Sequence, residues 1–252
     1  MTDSVVLPAS PSPSLSVLAA AIATHGTGRD DDIALPKLPG FVESAFSPLA
    51  YEVAARCLTA CPGDGDRTAV ALVSLAGDTT TADLASSRMV SGRVHNPLLF
   101  MQATANSVLG HMSREFGITG QMFSLSTLAD PLNELLAMAD LLLEDPELDR
   151  VLVLGVELEG GERVAAVHRE LAAEYAEYSA RPVPVLPASA GLAAAVLLGR
   201  SGDSGASQVP VRPTATTTGQ LGSIQTLFEL AATHTKTTET TETREPHTHA
   251  HQ

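Results

Sequence analysis

Two thiols and one cluster of hydroxyls around a carboxylate stand out as groups whose types could support covalent or acid–base chemistry. Cys57 and Cys61 lie four apart in a segment of helical pattern and project from one helix face. In a cytosolic chain such a pair is expected to stay reduced and simply packed. Asp130 closely follows Ser124, Ser126 and Thr127, which are ingredients of a hydrolytic site. No histidine follows at a spacing that completes a nucleophile, base and acid, and Asp130 before Pro131 reads as a helix cap. His111 stands alone within a helical stretch, where a packed histidine is expected. His247, His249 and His251 alternate in a Thr/Glu-rich tail, without the fixed geometry and second shell of a metal centre. Glu170, Glu174 and Glu177 at helical spacing read as a solvated helix face.

The elements that must position these groups alternate between strands and helices. Residues 1–14 are rich in Pro and Ser and are expected to be disordered, and LSVLAAAIA at 15–23 has helical composition. Ser47 and Pro48 form a cap and first-turn pair for an amphipathic helix over 48–61, with apolar Leu49, Val53, Ala54, Cys57 and Leu58. The β-branched run 68–74 predicts a buried strand, and 76–95 a polar loop. Pro97 to Phe116 predicts one helix ended by Gly117 in a left-handed cap, followed by a strand over 121–127. Asp130-Pro131 starts a helix carrying Leu132, Leu135, Leu136, Ala139, Leu142 and Leu143 until Asp145-Pro146 stops it. A buried strand is predicted at 151–157, a helix at 170–178, strands at 192–200 and 208–214, and a helix near 220–232. The alternation argues for a layered α/β fold with helices on both faces of a mainly parallel sheet.

The chain has 252 residues, 44% of them hydrophobic, enough for one sizeable core. Its formal net charge of −14 opposes an electrostatic grip on nucleic acid or an anionic membrane, so neither is expected as a partner. No apolar run reaches the roughly 18–20 residues of a bilayer span. The opening MTDSVVLPASPSPS lacks the basic and apolar regions of a signal peptide, so a cytoplasmic location is expected.

The stretch 96–159 resembles the β-ketoacyl synthases of the thiolase-like superfamily. The matching residues are Pro97, Asn106, Gly110, His111, Gly117, Gly120, Phe123, Thr127 and Gly155, with no gap needed through the family's nucleophile position. LPGFVESAFSPLAYEVAARCL upstream resembles the entry segment of a short ketosynthase-like subfamily. Downstream, PASAGLAAAVLLGR resembles the family's Gly-rich strand, and TATTTGQLGSIQTLFELA at 214–231 the segment carrying its last active-site histidine. The resemblance implies a truncated thiolase-like fold, layered α/β/α with a mixed, mainly parallel sheet. A ketosynthase-like domain is expected at 15–232, and the Thr/Glu/His-rich composition of 233–252 reads as a disordered tail.

The departures from the family's pattern bear on function. The family's nucleophilic cysteine lies where a strand meets a helix N-terminus, which lowers its pKa; Ala129 stands there. Gln220 replaces the histidine after the C-terminal Thr-Gly, and Ala215 matches the lysine preceding it. These three positions are degenerate. His25-Gly26-Thr27-Gly28 repeats part of the family's second histidine motif, but it precedes the first recognisable strand and is read as coincidence. Active members are far longer, so much of the family's second half has no counterpart.

The resemblance therefore implies a catalytically inactive homologue of the chain-length factor type, subunit of a type II polyketide synthase, paired with an active ketosynthase. Its implied role is to close the tunnel that holds an acyl chain delivered by acyl carrier protein, through Leu98, Leu99, Gln102, Ala103 and Asn106, with no cofactor and no metal. The pairing is expected through the strand at 121–127 and the helix at 97–116, and the short form implies a polyene product of a highly reducing system. The alternatives are a stand-alone dehydratase or hydrolase of the same superfamily acting on carrier-bound acyl chains, and a scaffold that never touches substrate.

Overall fold

The computed structural model describes residues 15–92, 97–128, 131–159, 161–174, 189–200, 207–209 and 223–242. In chain order the elements are β1 (Leu15–His25), α1 (Phe46–Ala60), β2 (Thr68–Val73), α2 (Thr79–Val90), α3 (Pro97–Gln102), α4 (Ala105–Phe116) and β3 (Met122–Leu125). They continue with α5 (Pro131–Leu142), β4 (Arg150–Leu158), α6 (Glu162–Glu174), β5 (Gly191–Arg200), β6 (Ser207–Val209) and α7 (Gln225–Glu242).

Largely apolar strands such as TAVALV and RVLVLGVEL are buried along their whole length and leave no solvated face, so both sides of each strand must be covered. The sheet that results has the order β3-β2-β4-β5-β1-β6. β2 pairs parallel with β3 and with β4, whereas β5 pairs antiparallel with both β4 and β1, and β6 antiparallel with β1. β1 to β4 thus share one direction, and β5 and β6 oppose it, which is the mixed sheet expected; two of its five pairings, β2 with β3 and with β4, are parallel and the other three antiparallel, because β5 runs between β4 and β1 against both. Side chains alternate between two cores. Val70, Leu72, Leu152 and Leu154 join Leu49, Val53 and Cys57 of α1 and Val108 and Met112 of α4. Ala69, Ala71, Val151 and Val153 join Leu135 and Ala139 of α5 and Leu227 and Ala231 of α7 on the opposite face.

The segment 15–23, expected as helix, is a strand. Alanine favours helix in isolation, but here Ala19 to Ala23 lie opposite Leu197 to Ala193 of the alanine-rich β5, and burial between two strands overrides propensity. A bulge between Val17 and Ala19 shifts the register. Leu15 and Val17 then face one core and Ala21 and Ala23 the other, as the change of side at a bulge requires. The bulged Leu18 sits over Gly199, where an added Cβ would lie 2.9 Å from its Cδ1.

Three other expectations are corrected. The polar loop at 76–95 contains α2, whose N-cap Asp78 accepts from Thr81 N–H at 3.0 Å. The single helix expected over 97–116 is broken into α3 and α4 at Ala103–Thr104. Thr104 is extended, with ψ 135, and the hydroxyls of Thr104 and Ser107 both donate to the Met101 carbonyl, in competition with helical backbone bonds. Ser47 is not a cap: Ala45 occupies that position, Ser44 Oγ accepts from Phe46 N–H at 3.1 Å, and Ser47 Oγ is buried with no partner among the described residues.

The remaining helices shift in extent. α6 begins at Glu162, eight positions before the predicted start at 170, and residues 175–178 lie outside the described residues. α7 runs to Glu242, into the segment expected as tail, because Leu227, Phe228 and Ala231 anchor its first turns in the core. Gly117 takes the left-handed cap as predicted, with φ 64. Among the described residues no helix is long and apolar enough to cross a membrane.

Candidate functional site

In a sheet whose parallel strands are followed by helices, the C-terminal strand ends gather the loops that carry function. At that edge β2 ends in Val73, β3 in Leu125 and β4 in Leu158, and the N–H of Ser74, just past β2, donates to Leu125 O at 3.1 Å. Several polar groups there are engaged. Ser74 Oγ accepts from Gly77 N–H at 3.0 Å, Ser126 Oγ donates to Leu75 O at 3.0 Å, and Thr127 Oγ1 donates to Glu134 Oε1 at 2.8 Å. Asp78, almost fully buried, takes bonds from Thr81 N–H and Thr81 Oγ1 and from the Ser44 side chain. Burial pushes its carboxyl above the ordinary value, against the pull of these hydrogen bonds. Glu157, buried near the end of β4, accepts from Ile224 N–H at 2.9 Å and fixes the first turn of α7.

Between the ends of β2, β3 and β4, at residues 74–78, 125–128 and 157–159, no cysteine or histidine is present. Cys57 lies on α1 over the middle of β5, where Sγ donates to Ala195 O at 3.7 Å, and burial pushes its thiol up to about 12. A thiol so raised stays protonated at neutral pH and is a poor nucleophile. Cys61 lies at the far end of the sheet, where its carbonyl accepts from Arg150 Nη1 at 2.6 Å; the length of β4, about 26 Å, separates that end from Leu158. Both cysteines are free, as the sequence predicts.

His111 packs edge-on to Phe41 and Tyr51, with ring centroids 6.0 and 5.5 Å away, the packing role predicted for it. The His25-Gly26-Thr27-Gly28 segment forms the turn after β1. His25 Nδ1 donates to Ile33 O at 2.8 Å, while Thr27 Oγ1 and Gly28 N–H donate to the two Asp32 oxygens at 2.7 and 2.9 Å. Among the described residues no group of three or more His, Cys, Asp or Glu is arranged to hold a metal.

Ala129, Asp130, Ala215 and Gln220 lie outside the described residues, as do His247, His249 and His251. Ala129 falls in sequence between Leu125, the end of β3, and Pro131, the start of α5. Of the proposed tunnel wall, Leu99 is buried, Gln102 and Ala103 are half-buried, and Leu98 and Asn106 are exposed. The five do not lie on a single helix: Leu98, Leu99 and Gln102 belong to α3, Ala103 to the break and Asn106 to α4. Asp78 and Glu157 were not singled out from sequence. Asp78 had a readable signal, an Asp three residues before Thr81 at the start of a polar run; Glu157 had none, since its partner is a backbone N–H distant in sequence.

No family model and no curated protein matches the sequence. Solved structures do match the fold. The ketosynthase ApeO in complex with its chain length factor ApeC, from Xenorhabdus doucetiae, matches with a TM-score of 0.53 and 16% identity, over 75% of this chain and 80% of that one. AntDE:AntF, a type II PKS acyl-carrier protein in complex with its ketosynthase bound to the hexaketide, matches with a TM-score of 0.54 and 12% identity, over 76% and 64%. The ishigamide ketosynthase/chain length factor matches with a TM-score of 0.53 and 10% identity, over 76% and 59%. This chain spans less than two thirds of the length of the last two. With its strand order, mixed strand directions and two helical layers, about three quarters of the chain has the fold of these ketosynthase and chain length factor structures.

Proposed function

We propose that this protein is a non-catalytic chain-length factor that pairs with an active ketosynthase of a type II polyketide synthase. The observation that carries the reading is Ala129, a methyl group at the sequence position between β3 and α5 where the resembled family places its nucleophile. A methyl group forms no thioester, and the buried, protonated Cys57 offers no substitute. Gln220 and Ala215 stand where the resemblance expects a histidine and a lysine, so the groups that would stabilise an enolate are missing as well.

Pairing is favoured by the edge of the sheet. β3 is the terminal strand, its four residues are half-buried, and its outer side has no strand partner among the described residues. Such an edge is a template for a strand of another chain. The acyl chain, held on the partner's cysteine and supplied by acyl carrier protein, would extend toward this interface. Leu98, Leu99, Gln102, Ala103 and Asn106 would limit its length sterically. A polyene product of a highly reducing system is the finer form of the same reading.

Co-expression with the active ketosynthase encoded nearest its gene, followed by size-exclusion chromatography, tests the pairing. Co-elution and polyketide formation only by the pair are expected. Separate elution, or turnover of an acyl thioester by the isolated chain, would replace this reading with a stand-alone enzyme. In the reconstituted pair, Ala103→Phe is expected to shorten the product; an unchanged product with pairing intact would leave a scaffold role.

A further inference from the structure

The two long edges of β1 are covered unequally. β5 pairs with β1 from Leu15 to His25, whereas β6 pairs only with Leu15, Ser16 and Val17. At the far end Thr24 meets Asp32 in a short parallel bridge, and Thr24 O accepts from Ile33 N–H at 2.8 Å. Between these two covers, Leu18 to Ala23 has no strand on its outer side among the described residues. The run reads Leu-Ala-Ala-Ala-Ile-Ala. It is apolar and uncharged, without proline or glycine, so nothing in its own side chains discourages a further strand.

A guanidinium stands against that edge instead. Alternate residues of a strand turn their carbonyls to the same side, so Ala20, Ile22 and Thr24 all direct theirs away from β5. Arg56 Nη1, from α1 on one face of the sheet, donates to Ile22 O at 3.1 Å. Thr235 Oγ1, from α7 on the other face, donates to Ala231 O at 2.9 Å and reaches Ala20 O only at 3.4 Å, the weaker contact. Arg56 is itself held in place: Glu52, one turn earlier on α1, accepts from its Nε at 2.9 Å and stands 2.8 Å from its Nη2. These charge-assisted contacts orient the guanidinium plane and leave Nη1 for the strand.

We infer that Arg56, held by Glu52, is a guard that keeps a second copy of this chain from adding its own β1 to this edge. The second copy is the occupant that the sequence fits. β1 already accepts an antiparallel neighbour with small side chains, since Ala19 to Ala23 lie opposite Leu197 to Ala193 of β5. A β1 strand related by a two-fold axis presents the same small side chains in the same antiparallel sense, so the contact is self-complementary. The ladder between the two copies needs Ile22 O as an acceptor near its centre. Arg56 takes the place of the incoming N–H there, and removing its donors opens the edge.

Sedimentation equilibrium of the full chain alone tests this with four proteins: wild type, Arg56→Met, Ala20→Pro and Arg56→Met/Ala20→Pro. Methionine keeps an unbranched stem and removes the donors, and the Arg56 side chain is 45% exposed, so the core is left intact. Proline at 20 removes an outward N–H while the bonds to β5, made by the residues on either side, remain. Arg56→Met is expected to self-associate about tenfold more tightly than wild type, as one freed hydrogen-bonding group at an interface predicts. The added Ala20→Pro is expected to return it to wild-type behaviour. Melting temperatures check folding, and hydrogen exchange at the Ala20 and Ile22 amides, slowed only in associated Arg56→Met, locates the contact without the proline. An Arg56→Met protein that sediments as wild type does would overturn the inference. Association with those two amides unprotected would do the same, because it uses another surface. A wild-type self-association abolished by Ala20→Pro would show the edge already open and overturn it as well.

Discussion

The carboxylate of Glu157, one residue from the end of β4, accepts a hydrogen bond from the backbone N–H of Ile224 at 2.9 Å, joining the sheet to the first turn of a helix 67 residues away in sequence. Gly155 completes the junction: a Cβ there would lie 2.7 Å from Ile224 Cγ2. Glu157→Ala strands a buried N–H, at a cost of about 1–3 kcal/mol, and lowers the melting temperature by about 2–4 °C per kcal/mol. Glu157→Gln keeps an acceptor and is expected to lose much less. Equal melting temperatures for the two variants would remove the bond from the account.

Three glycines of the 96–159 stretch should respond to alanine with different signs. A Cβ on Gly110 meets nothing within 4 Å in mid-helix, so Gly110→Ala is expected to stabilise by about 0.5–1 kcal/mol. Gly117 has open space but φ +64, and Gly117→Ala costs about 1 kcal/mol. Gly120→Ala places a Cβ 2.3 Å from the Thr68 carbonyl oxygen; the backbone must move, at about 3 kcal/mol or more. Denaturant midpoints that break this ranking would contradict the packing described.

Asp78 predicts a pH signature. Burial raises its carboxyl above the usual 3.8, so the folded state holds the proton more tightly than the unfolded state does. This contribution to stability is fully present below the ordinary carboxylate value and is lost as pH rises through the raised folded value. Asp78→Asn keeps the cap without the titration. The difference in stability between variant and wild type should therefore shift in the variant's favour as pH is raised from 3.5 toward 7. Parallel curves in urea titrations across that range would show that Asp78 does not titrate as described.

Ser47→Ala separates two accounts of one residue. A capping serine would cost about 1 kcal/mol on removal, whereas the buried, unpartnered hydroxyl seen here predicts a neutral change or a gain of up to about 1 kcal/mol. A lower melting temperature for the variant would restore the cap.

The sequence was most readable where side-chain pattern and burial agree. β2, β4 and β5 are dominated by apolar residues, and α5 carries Leu135, Leu136 and Ala139 at helical spacing, so both types of element could be recognised. β1 could not, because Leu-Ser-Val-Leu followed by three alanines suits either state locally, and only pairing with β5 decides. α2 was hidden by Thr79, Thr80 and Thr81, which disfavour helix by propensity, although the Asp78 cap outweighs them. The break between α3 and α4 depends on two hydroxyls aimed at a single carbonyl, a geometry that spacing does not reveal. At the site, the replacements at Ala129, Ala215 and Gln220 were visible only through family resemblance.

The pairing of β1 with β5 has a consequence during synthesis. Leu15 to His25 emerge from the ribosome early, yet their partner residues, 191–200, emerge last among the central strands. At about 5–20 residues per second, the first strand made waits on the order of ten to thirty seconds for its neighbour. Through that interval the alanine-rich β1 lacks the strand that covers its long edge in the folded molecule.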